Sequence, residues 1–359
     1  MKYNQVSKKK LSRRFGLMAI TGCVKTLVLC AVSTLPLGNA LAEDGKTMRL
    51  GIIGLDTSHV PAFTKEFHKD PVADPALEGF RVVAAYPFGS ADIESSASRI
   101  PKYTAEVRAM GVEVVDSIAD LLSKVDAVLL ETNDGRLHLE QALEVFQAGK
   151  PVFIDKPTGS RLAEVIAIYQ AAEHYRAKVF SSSSLRFSPG AQEIRAGKFG
   201  DVLGCDAYSP CALEPTHVDL YWYGIHGVES LFTCMGEGCV QVTHQSTNDA
   251  ELAVGIWDGG RIGTFRGIRG GSSGYGGSVF GAKGIGAIGP YGGYRPLVIE
   301  IAKFFRTGQS PVSAGETIQI YAFMQAALVS KQRGGVPVTI DEVMKTAKVE
   351  AAKLLEGKL

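Results

Sequence analysis

Short apolar runs alternate with amphipathic segments along the first half of the chain. Each run is four to eight residues long, which is typical of a buried parallel strand. Strands that alternate with helices form βαβ units, so the pattern predicts an α/β fold with a Rossmann doubly wound parallel sheet over residues 43–185. The predicted strands are 48–55, 81–85, 112–115, 125–130, 151–154 and 178–181. The predicted helices are 60–67, 117–124, 138–148 and 162–176.

The pattern changes after about residue 184, where strand-like runs follow one another directly. Sixteen glycines fall between residues 255 and 293, far above the usual frequency of about 7%. The pattern over residues 186–359 therefore predicts a C-terminal α/β domain with an open, mainly antiparallel sheet. The glycine cluster is interpreted as hairpin turns, with a substrate lid as the alternative. The predicted strands are 240–243, 252–256 and 261–267, and the predicted helices are 297–305, 318–330 and 341–355.

Residues 1–42 have the order of an export signal. A basic start is followed by an apolar stretch at 26–37 and by Ala40-Leu41-Ala42, which predicts cleavage after Ala42. The pair Arg13-Arg14 resembles a twin-arginine signal, which exports folded proteins; a general secretory signal and a lipoprotein signal at Cys23 are the alternatives. The sequence thus predicts a periplasmic or secreted protein. It predicts no transmembrane anchor, because no apolar run reaches about 20 residues.

The charge balance argues against nucleic acid as a partner. Of the 38 basic and 37 acidic residues, seven basic and no acidic ones lie within 1–42, which leaves 31 basic and 37 acidic side chains and a net charge of −6. Such a domain has no basic footprint for phosphate backbones. The remaining cysteines have no zinc-site spacing, and we predict no metal site; they are either paired or free core thiols. They are Cys205, Cys211, Cys234 and Cys239.

Candidate chemistry follows the predicted strands, because ligands of a doubly wound sheet bind at the carboxyl ends of its strands. Lys156 comes directly after the fifth predicted strand, where burial and neighbouring charges can tune its pKa. An inter-strand salt bridge is the alternative role for this lysine. The other candidate segments are residues 54–59, 86–90 and 131–134.

Four motifs, in order, resemble the glucose–fructose oxidoreductase and inositol dehydrogenase family (Gfo/Idh/MocA). They are Asp155-Lys156-Pro157, Arg186-Phe187-Ser188-Pro189, Gly224-Ile225-His226, and Arg306-Thr307-Gly308 followed by Pro311-Val312. The resemblance implies a Rossmann domain joined to a mixed α/β domain whose open sheet often forms a homo-oligomer interface. It also implies oxidation of a sugar or cyclitol hydroxyl, with hydride passing to NAD or NADP.

The resemblance assigns roles to particular residues. Lys156 would hydrogen-bond the reacting hydroxyl, and His226 would be the general base that takes its proton. A helix histidine with satisfied hydrogen bonds is the alternative reading of His226. Residues expected to contact substrate are His217, Asp219, Trp222 and Tyr223. Residues expected to contact a tightly bound cofactor are Gly54, Asp56, Thr57, Ser58, His59, Tyr86, Ser90, Thr132, Asn133, Asp155 and Arg186.

The chain departs from the family pattern at the nucleotide loop. The glycines of Gly-x-Gly-x-x-Gly fall on Gly54, Asp56 and His59, so only the first is kept. Tyr86 replaces the acid that normally binds the ribose, and Trp222 stands where the family tends to have an aspartate four residues before the histidine. We expect an exported NAD(P)-dependent oxidoreductase acting on a sugar derivative. A carbohydrate-binding protein without activity and a redox-neutral NAD-dependent glycosidase are the alternatives.

Overall fold

The computed structural model describes residues 47–359, so the predicted signal peptide lies outside the described part. Six parallel strands form the first sheet in the order β3-β2-β1-β4-β5-β6, which confirms the predicted Rossmann sheet. The order reverses beside β1, which makes the carboxyl ends of β1 and β4 the natural crevice for a ligand. The strands are β1 (Met48–Ile53), β2 (Phe80–Tyr86), β3 (Glu113–Val114), β4 (Ala127–Leu130), β5 (Val152–Ile154) and β6 (Val179–Ser181).

Helices cover both faces of this sheet because alternate strand residues point to opposite sides. In β4, Ala127 and Leu129 pack into one core and Val128 and Leu130 into the other. Continuous burial of this kind is expected for a parallel strand. The helices are α1 (His59–Phe67), α2 (Glu94–Ala97), α3 (Ile100–Ala109), α4 (Ile118–Lys124), α5 (His138–Gln147) and α6 (Leu162–His174).

The second sheet has seven strands in the order β12-β11-β7-β10-β9-β8-β13. Only β7 and β10 run parallel, so the sheet is mainly antiparallel, as predicted. Its strands are β7 (Val202–Pro210), β8 (Cys239–Ser246), β9 (Ala250–Trp257), β10 (Ile262–Ile268), β11 (Gly276–Gly281), β12 (Gly284–Ala287) and β13 (Val338–Thr339). The remaining helices are α7 (Pro189–Arg195), α8 (Ile225–Met235), α9 (Arg295–Thr307), α10 (Ala314–Gln332) and α11 (Ile340–Leu355).

Several elements were not predicted. The glycine-rich segment contributes strands β11 and β12 rather than turns alone, and β7 lies inside its sheet between β11 and β10. Cys205, Cys211, Cys234 and Cys239 are buried free thiols, which settles the alternative between paired and unpaired cysteines. Within residues 47–359, no helix combines the length and the apolar character needed to cross a membrane.

Candidate active site

A cavity of about 300 Å³ opens at the carboxyl ends of β1, β4 and β5 and is closed on the other side by α8 and the glycine-rich segment. Its wall therefore combines residues from the two sheets. Its volume suits a small ligand rather than a macromolecule. The lining residues are Thr57, Ser58, His59, Ser95, Arg99, Asn133, Lys156, Ser184, Leu185, Ala212, Trp222, Tyr223, His226, Tyr275, Tyr291 and Tyr294.

Lys156 provides a buried positive charge in the cavity, which Arg99 also lines. It follows β5, and only 8% of the residue remains exposed. Its ammonium group makes no hydrogen bond or ion pair with any residue between 47 and 359, and the residue lines the cavity. An inter-strand salt bridge is thus absent from the described part of the chain. The ammonium group is placed to donate to a ligand oxygen.

His226, the second residue of α8, reaches the same cavity from the other domain. Its Nδ1 lies 2.7 Å from Oγ of Ser183, the position that precedes a tight turn at 184–187. Burial, together with the nearby charges of Lys156 and His59, lowers the pKa of His226 well below its usual value. The imidazole is therefore neutral near pH 7. With Nδ1 bonded to Ser183, its Nε2 is the atom available to a ligand.

The loop between β1 and α1 contains the altered glycine motif. Gly54 has a positive φ of 91°, and an added Cβ would lie 2.4 Å from the Thr132 nitrogen, so this position requires glycine. Asp56 turns inward: its carboxylate accepts from Ser96 Oγ at 2.5 Å and from the Asn133 amide at 3.0 Å. The carboxylate consequently does not face the end of α1, where a phosphate group would bind.

His59 and Asp155 form a buried pair at the base of the cavity. The distance between Nδ1 of His59 and Oδ2 of Asp155 is 2.7 Å, and both side chains are almost fully buried. Burial alone would raise the pKa of Asp155, but the charges of His59 and Lys156 outweigh it and lower that pKa. Asp155 is therefore a carboxylate that lies between His59 and Lys156.

Glu131, which follows β4, belongs to the predicted candidate segment 131–134 but was assigned no role from the sequence. Neither carboxyl oxygen has a hydrogen-bond partner in the described part of the chain, and the residue is fully buried. Burial, with the charges of Asp155 and Asp56, raises the pKa of Glu131 well above its ordinary value. Burial also raises the pKa of Asp56 to about 6. The raised pKa of Glu131 favours its neutral form and so opposes the accumulation of negative charge beneath the cavity.

Several residues predicted to bind ligands do not line the cavity. On the cofactor side, Tyr86 stacks on Phe88 at a centroid distance of 5.6 Å, and Ser90 donates to Asp134. Thr132 is fully buried behind the loop that contains Gly54. The hydroxyl of Ser90 thus already donates to Asp134, and its contact with a cofactor stays a prediction.

Three other predicted residues have structural partners instead. Arg186 is buried in an ion-pair network with Glu229 and Glu316, which joins the domain junction to α8 and α10. His217 lies 3.4 Å from Asp134 and packs on Trp222. Asp219 pairs with Lys331 at 3.2 Å.

The structure adds residues that sequence reasoning missed. The glycine-rich segment places Tyr275, Tyr291 and Tyr294 on the cavity wall, where Tyr275 bonds Tyr223 at 3.1 Å and Tyr291 bonds Ser184 at 3.1 Å. Their signal in the sequence was the repeated Gly-Tyr spacing. Ser183 gave no signal, because its role depends on a tertiary contact.

Comparison with known proteins identifies relatives of this fold. Residues 48–183 match the family model described as the Gfo/Idh/MocA oxidoreductase family with an NAD-binding Rossmann fold. The inositol 2-dehydrogenase of Gluconacetobacter diazotrophicus is 28% identical over 166 residues, and this match spans 44% of each chain. The matched part is therefore less than half of the curated relative.

Solved structures match a larger part of the chain. The scyllo-inositol dehydrogenase of Lactobacillus casei, crystallised with NAD(H) and scyllo-inositol, covers 82% of this chain and 100% of its own, with a TM-score of 0.64 at 18% identity. The myo-inositol 2-dehydrogenase of Lactobacillus plantarum has a TM-score of 0.66 at 17% identity and covers 82% of this chain and 99% of its own. At these identities the comparison shows a shared fold. The likeness to the Gfo/Idh/MocA oxidoreductase family itself rests on the Rossmann part of the chain, residues 48–183.

Proposed function

We propose that the protein is an NAD(P)-dependent oxidoreductase that interconverts a hydroxyl and a keto group on a sugar or cyclitol. The observation that carries the proposal is the meeting of Lys156 and His226 in one cavity, although they come from different domains. Alcohol oxidation requires a cation and a neutral imidazole beside the reacting hydroxyl group.

The two residues divide the work on the substrate. Lys156 donates a hydrogen bond to the reacting oxygen and favours its alkoxide form, and Nε2 of His226 accepts the hydroxyl proton. Ser183 holds Nδ1 of His226, which fixes the orientation of the ring. A nicotinamide nucleotide, when bound, would supply the hydride acceptor for this reaction.

The loop at residues 54–59 is compatible with a dinucleotide. Thr57, Ser58 and His59 bring the N-terminus of α1 to the cavity, where the positive end of the helix dipole favours a phosphate. Asp56 supports this fit because its carboxylate faces Ser96 and Asn133 instead of the cavity. The absence of a carboxylate at Tyr86 leaves NAD and NADP as the two candidate cofactors.

The remaining wall suits a neutral ring with several hydroxyl groups. Trp222 and Tyr223, together with the three tyrosines of the glycine-rich segment, provide flat apolar faces and hydroxyl groups. Aromatic faces stack on sugar rings, and tyrosine hydroxyls bond their substituents. The dehydrogenase relatives named above are consistent with a polyol substrate.

One observation favours a second candidate, a carbohydrate-binding protein without a cofactor. Asp56, Glu131 and Asp155 lie close enough to influence one another's ionisation beneath the nucleotide loop. The carboxylate of Asp155, whose pKa is lowered, would weaken the binding of an anionic pyrophosphate at this place. This candidate keeps the aromatic cavity and predicts sugar binding without nucleotide binding.

Turnover measurements distinguish the two candidates. We expect the wild-type protein to reduce NAD or NADP when it is supplied with a panel of cyclitols and sugars. Replacement His226→Ala should lower kcat by roughly 100- to 10,000-fold, because a general base is lost, while nucleotide affinity stays nearly unchanged. Sugar binding without any nucleotide reduction across the panel would favour the binding protein.

We also propose that residues 1–42 export the protein to the periplasm or beyond. Arg13 and Arg14, the apolar stretch and the Ala40-Leu41-Ala42 site support this proposal. A reporter fused to residues 1–42 should leave the cytoplasm, and replacing both arginines by lysine should block its export. Continued export of the double-lysine variant would instead favour the general secretory route.

A further inference from the structure

Residues 211–224 connect β7 to α8 and contribute Trp222 and Tyr223 to the wall of the cavity. Within this connection Asp219 has a positive φ of 29°, which is unusual for a residue other than glycine. A backbone in such a conformation keeps its shape only where the surrounding structure holds it. The contacts that fix the connection therefore also determine where Trp222 lies.

His217 joins this connection to the loop that follows β4. The backbone amide of Gly135, in that loop, donates a hydrogen bond to Nε2 of His217 at 3.3 Å. The two residues are 82 positions apart in the chain, and one belongs to the Rossmann half while the other belongs to the second half. The side chain of His217 is fully buried. The bond therefore crosses the junction between the two halves away from solvent.

The hydrogen bonds of His217 fit one neutral tautomer. Because Nε2 accepts a proton from Gly135, the proton of the ring is on Nδ1. Nδ1 lies 3.0 Å from Oγ1 of Thr216, and this hydroxyl donates to a carboxylate oxygen of Glu214 at 3.2 Å. Burial lowers the pKa of His217 to about 4, so the ring is neutral near pH 7. Each donor of the chain thus has its acceptor.

Asp134 fixes the loop that carries the Gly135 amide. Its carboxylate accepts from the backbone amide of Arg136 at 2.9 Å, from the Arg136 guanidinium at 2.6 Å and from the hydroxyl of Ser90. The same carboxylate lies 3.4 Å from Nε2 of His217, but the guanidinium balances its charge. The donor of the bond to His217 is therefore held as firmly as its acceptor.

The ring of His217 also packs on the indole of Trp222. The two ring centroids are 4.9 Å apart and the ring planes form an angle of 52°. Trp222 lines the cavity, whereas His217 does not. The imidazole thus lies directly behind an aromatic side chain that faces a ligand.

We propose that His217 is a positioning residue, which ties the two halves of the chain together through Gly135 and so holds the Trp222 indole against the substrate. The proposal rests on the proposed function for the nature of that substrate, a polyol ring. His217 acts through Trp222 and touches none of the reacting atoms. Loss of its bond to Gly135 should therefore weaken substrate binding and leave the proton and hydride transfers unaffected.

Quenching of tryptophan fluorescence by acrylamide tests the position of Trp222 in the full mature protein without any turnover. The chain has two tryptophans, and the other, Trp257, is fully buried, so the quencher reports mainly on Trp222. We expect His217→Leu to increase the quenching constant, because the connection loses its bond to Gly135. His217→Gln should stay near the wild-type value, because its side-chain oxygen replaces Nε2 as the acceptor. Exposed His174→Leu on α6 is the matched control.

Steady-state kinetics with the polyol and the nucleotide test whether this position serves the substrate. His217→Leu should raise KM for the polyol by roughly two- to tenfold, as expected for one lost neutral hydrogen bond, while kcat and KM for the nucleotide stay nearly unchanged. His217→Gln should retain most of the wild-type affinity. Half-buried Thr216→Val, which removes the acceptor of Nδ1, is the second variant in case His217→Leu fails to fold, and it should change both readouts in the same direction.

The two proposals fail separately. Nucleotide reduction with an unchanged KM for the polyol in His217→Leu and Thr216→Val, or with a fall in kcat alone, retains the oxidoreductase and overturns the positioning role. Equal quenching of the wild-type protein and both variants also overturns that role. Increased quenching in His217→Leu, in a protein that reduces no nucleotide, retains the hold on Trp222 and overturns the oxidoreductase.

Discussion

Asp56 illustrates how one residue can replace a loop glycine without filling the ligand cavity. Its carboxylate is satisfied by Ser96 and by the Asn133 amide, so the loop and the neighbouring strand ends are held together. The sequence alone left open whether this charge faces the phosphates. A side chain's direction depends on tertiary partners, and Ser96 lies 40 residues away in the chain. Ser183, the partner of His226, escaped prediction for the same reason.

Glu131 makes stability depend on pH in a direction that can be checked. Because its pKa is raised in the folded state, the folded protein keeps a proton that the unfolded chain loses as the pH rises above about 4.5. Its favourable contribution is therefore present at low pH and disappears as the pH rises through the folded pKa. Glu131→Gln should become more stable relative to wild type with increasing pH, by at most about 1.4 kcal/mol per pH unit.

Denaturant unfolding at several pH values measures this difference. Exposed Glu173→Gln on α6 is the control and should follow the wild-type curve. A constant stability difference between Glu131→Gln and wild type across the pH range would contradict the assignment of a neutral carboxyl group to Glu131.

At the scale of elements, the Rossmann half was well predicted and the second half only in part. Parallel strands are continuous apolar runs, so they stand out from the amphipathic helices. Strand β7 alternates buried and exposed residues and contains polar groups, and β11 and β12 consist largely of glycine. These segments are strands because they pair with neighbouring strands, and a local sequence pattern does not reveal that pairing. The sequence pattern therefore also did not predict that Tyr275, Tyr291 and Tyr294 line the cavity.

Helix α8 holds His226 in place through close packing on the second sheet. An added Cβ at Gly227 would lie 2.2 Å from the Phe265 ring and 2.8 Å from Ser209 Oγ. Gly227→Ala should therefore displace the start of α8, cost roughly 1–3 kcal/mol of unfolding free energy and lower kcat. Thermal unfolding and turnover measure the two effects, and Gly274→Ala, where the Cβ meets open space, is the control. Unchanged stability and kcat would show that α8 accommodates an added methyl group in spite of its close packing.

For the whole molecule, the outer face of the second sheet is the main unexplained surface. One cross-strand row on this face runs from Ile285 through Phe280 and Gly204 to Ile262. The exposed fraction is 71% for Ile285, 39% for Phe280 and 51% for Ile262. An apolar row on an open sheet is typical of a protein interface. We propose that this face joins copies of the chain into a homo-oligomer.

Light scattering tests the interface. The mature wild-type protein should have a mass of two or more chains, and Phe280→Asp should shift it toward a single chain, because a buried unpaired charge opposes association. Exposed Lys353→Asp on α11 is the control for added negative charge. A wild-type mass of one chain at all concentrations would contradict the proposed interface.

The binding of a nicotinamide nucleotide tests the central claim most directly. We would titrate the purified mature protein with NAD and with NADP by calorimetry, after determining by mass spectrometry whether a nucleotide is released on denaturation. We predict saturable binding of one nucleotide per chain to the wild-type protein and to the His226→Ala variant. A tightly held nucleotide that co-purifies with the wild-type protein and with the variant would agree equally well. No binding of either nucleotide, with none released on denaturation, would contradict the assignment of the cavity to an oxidoreductase.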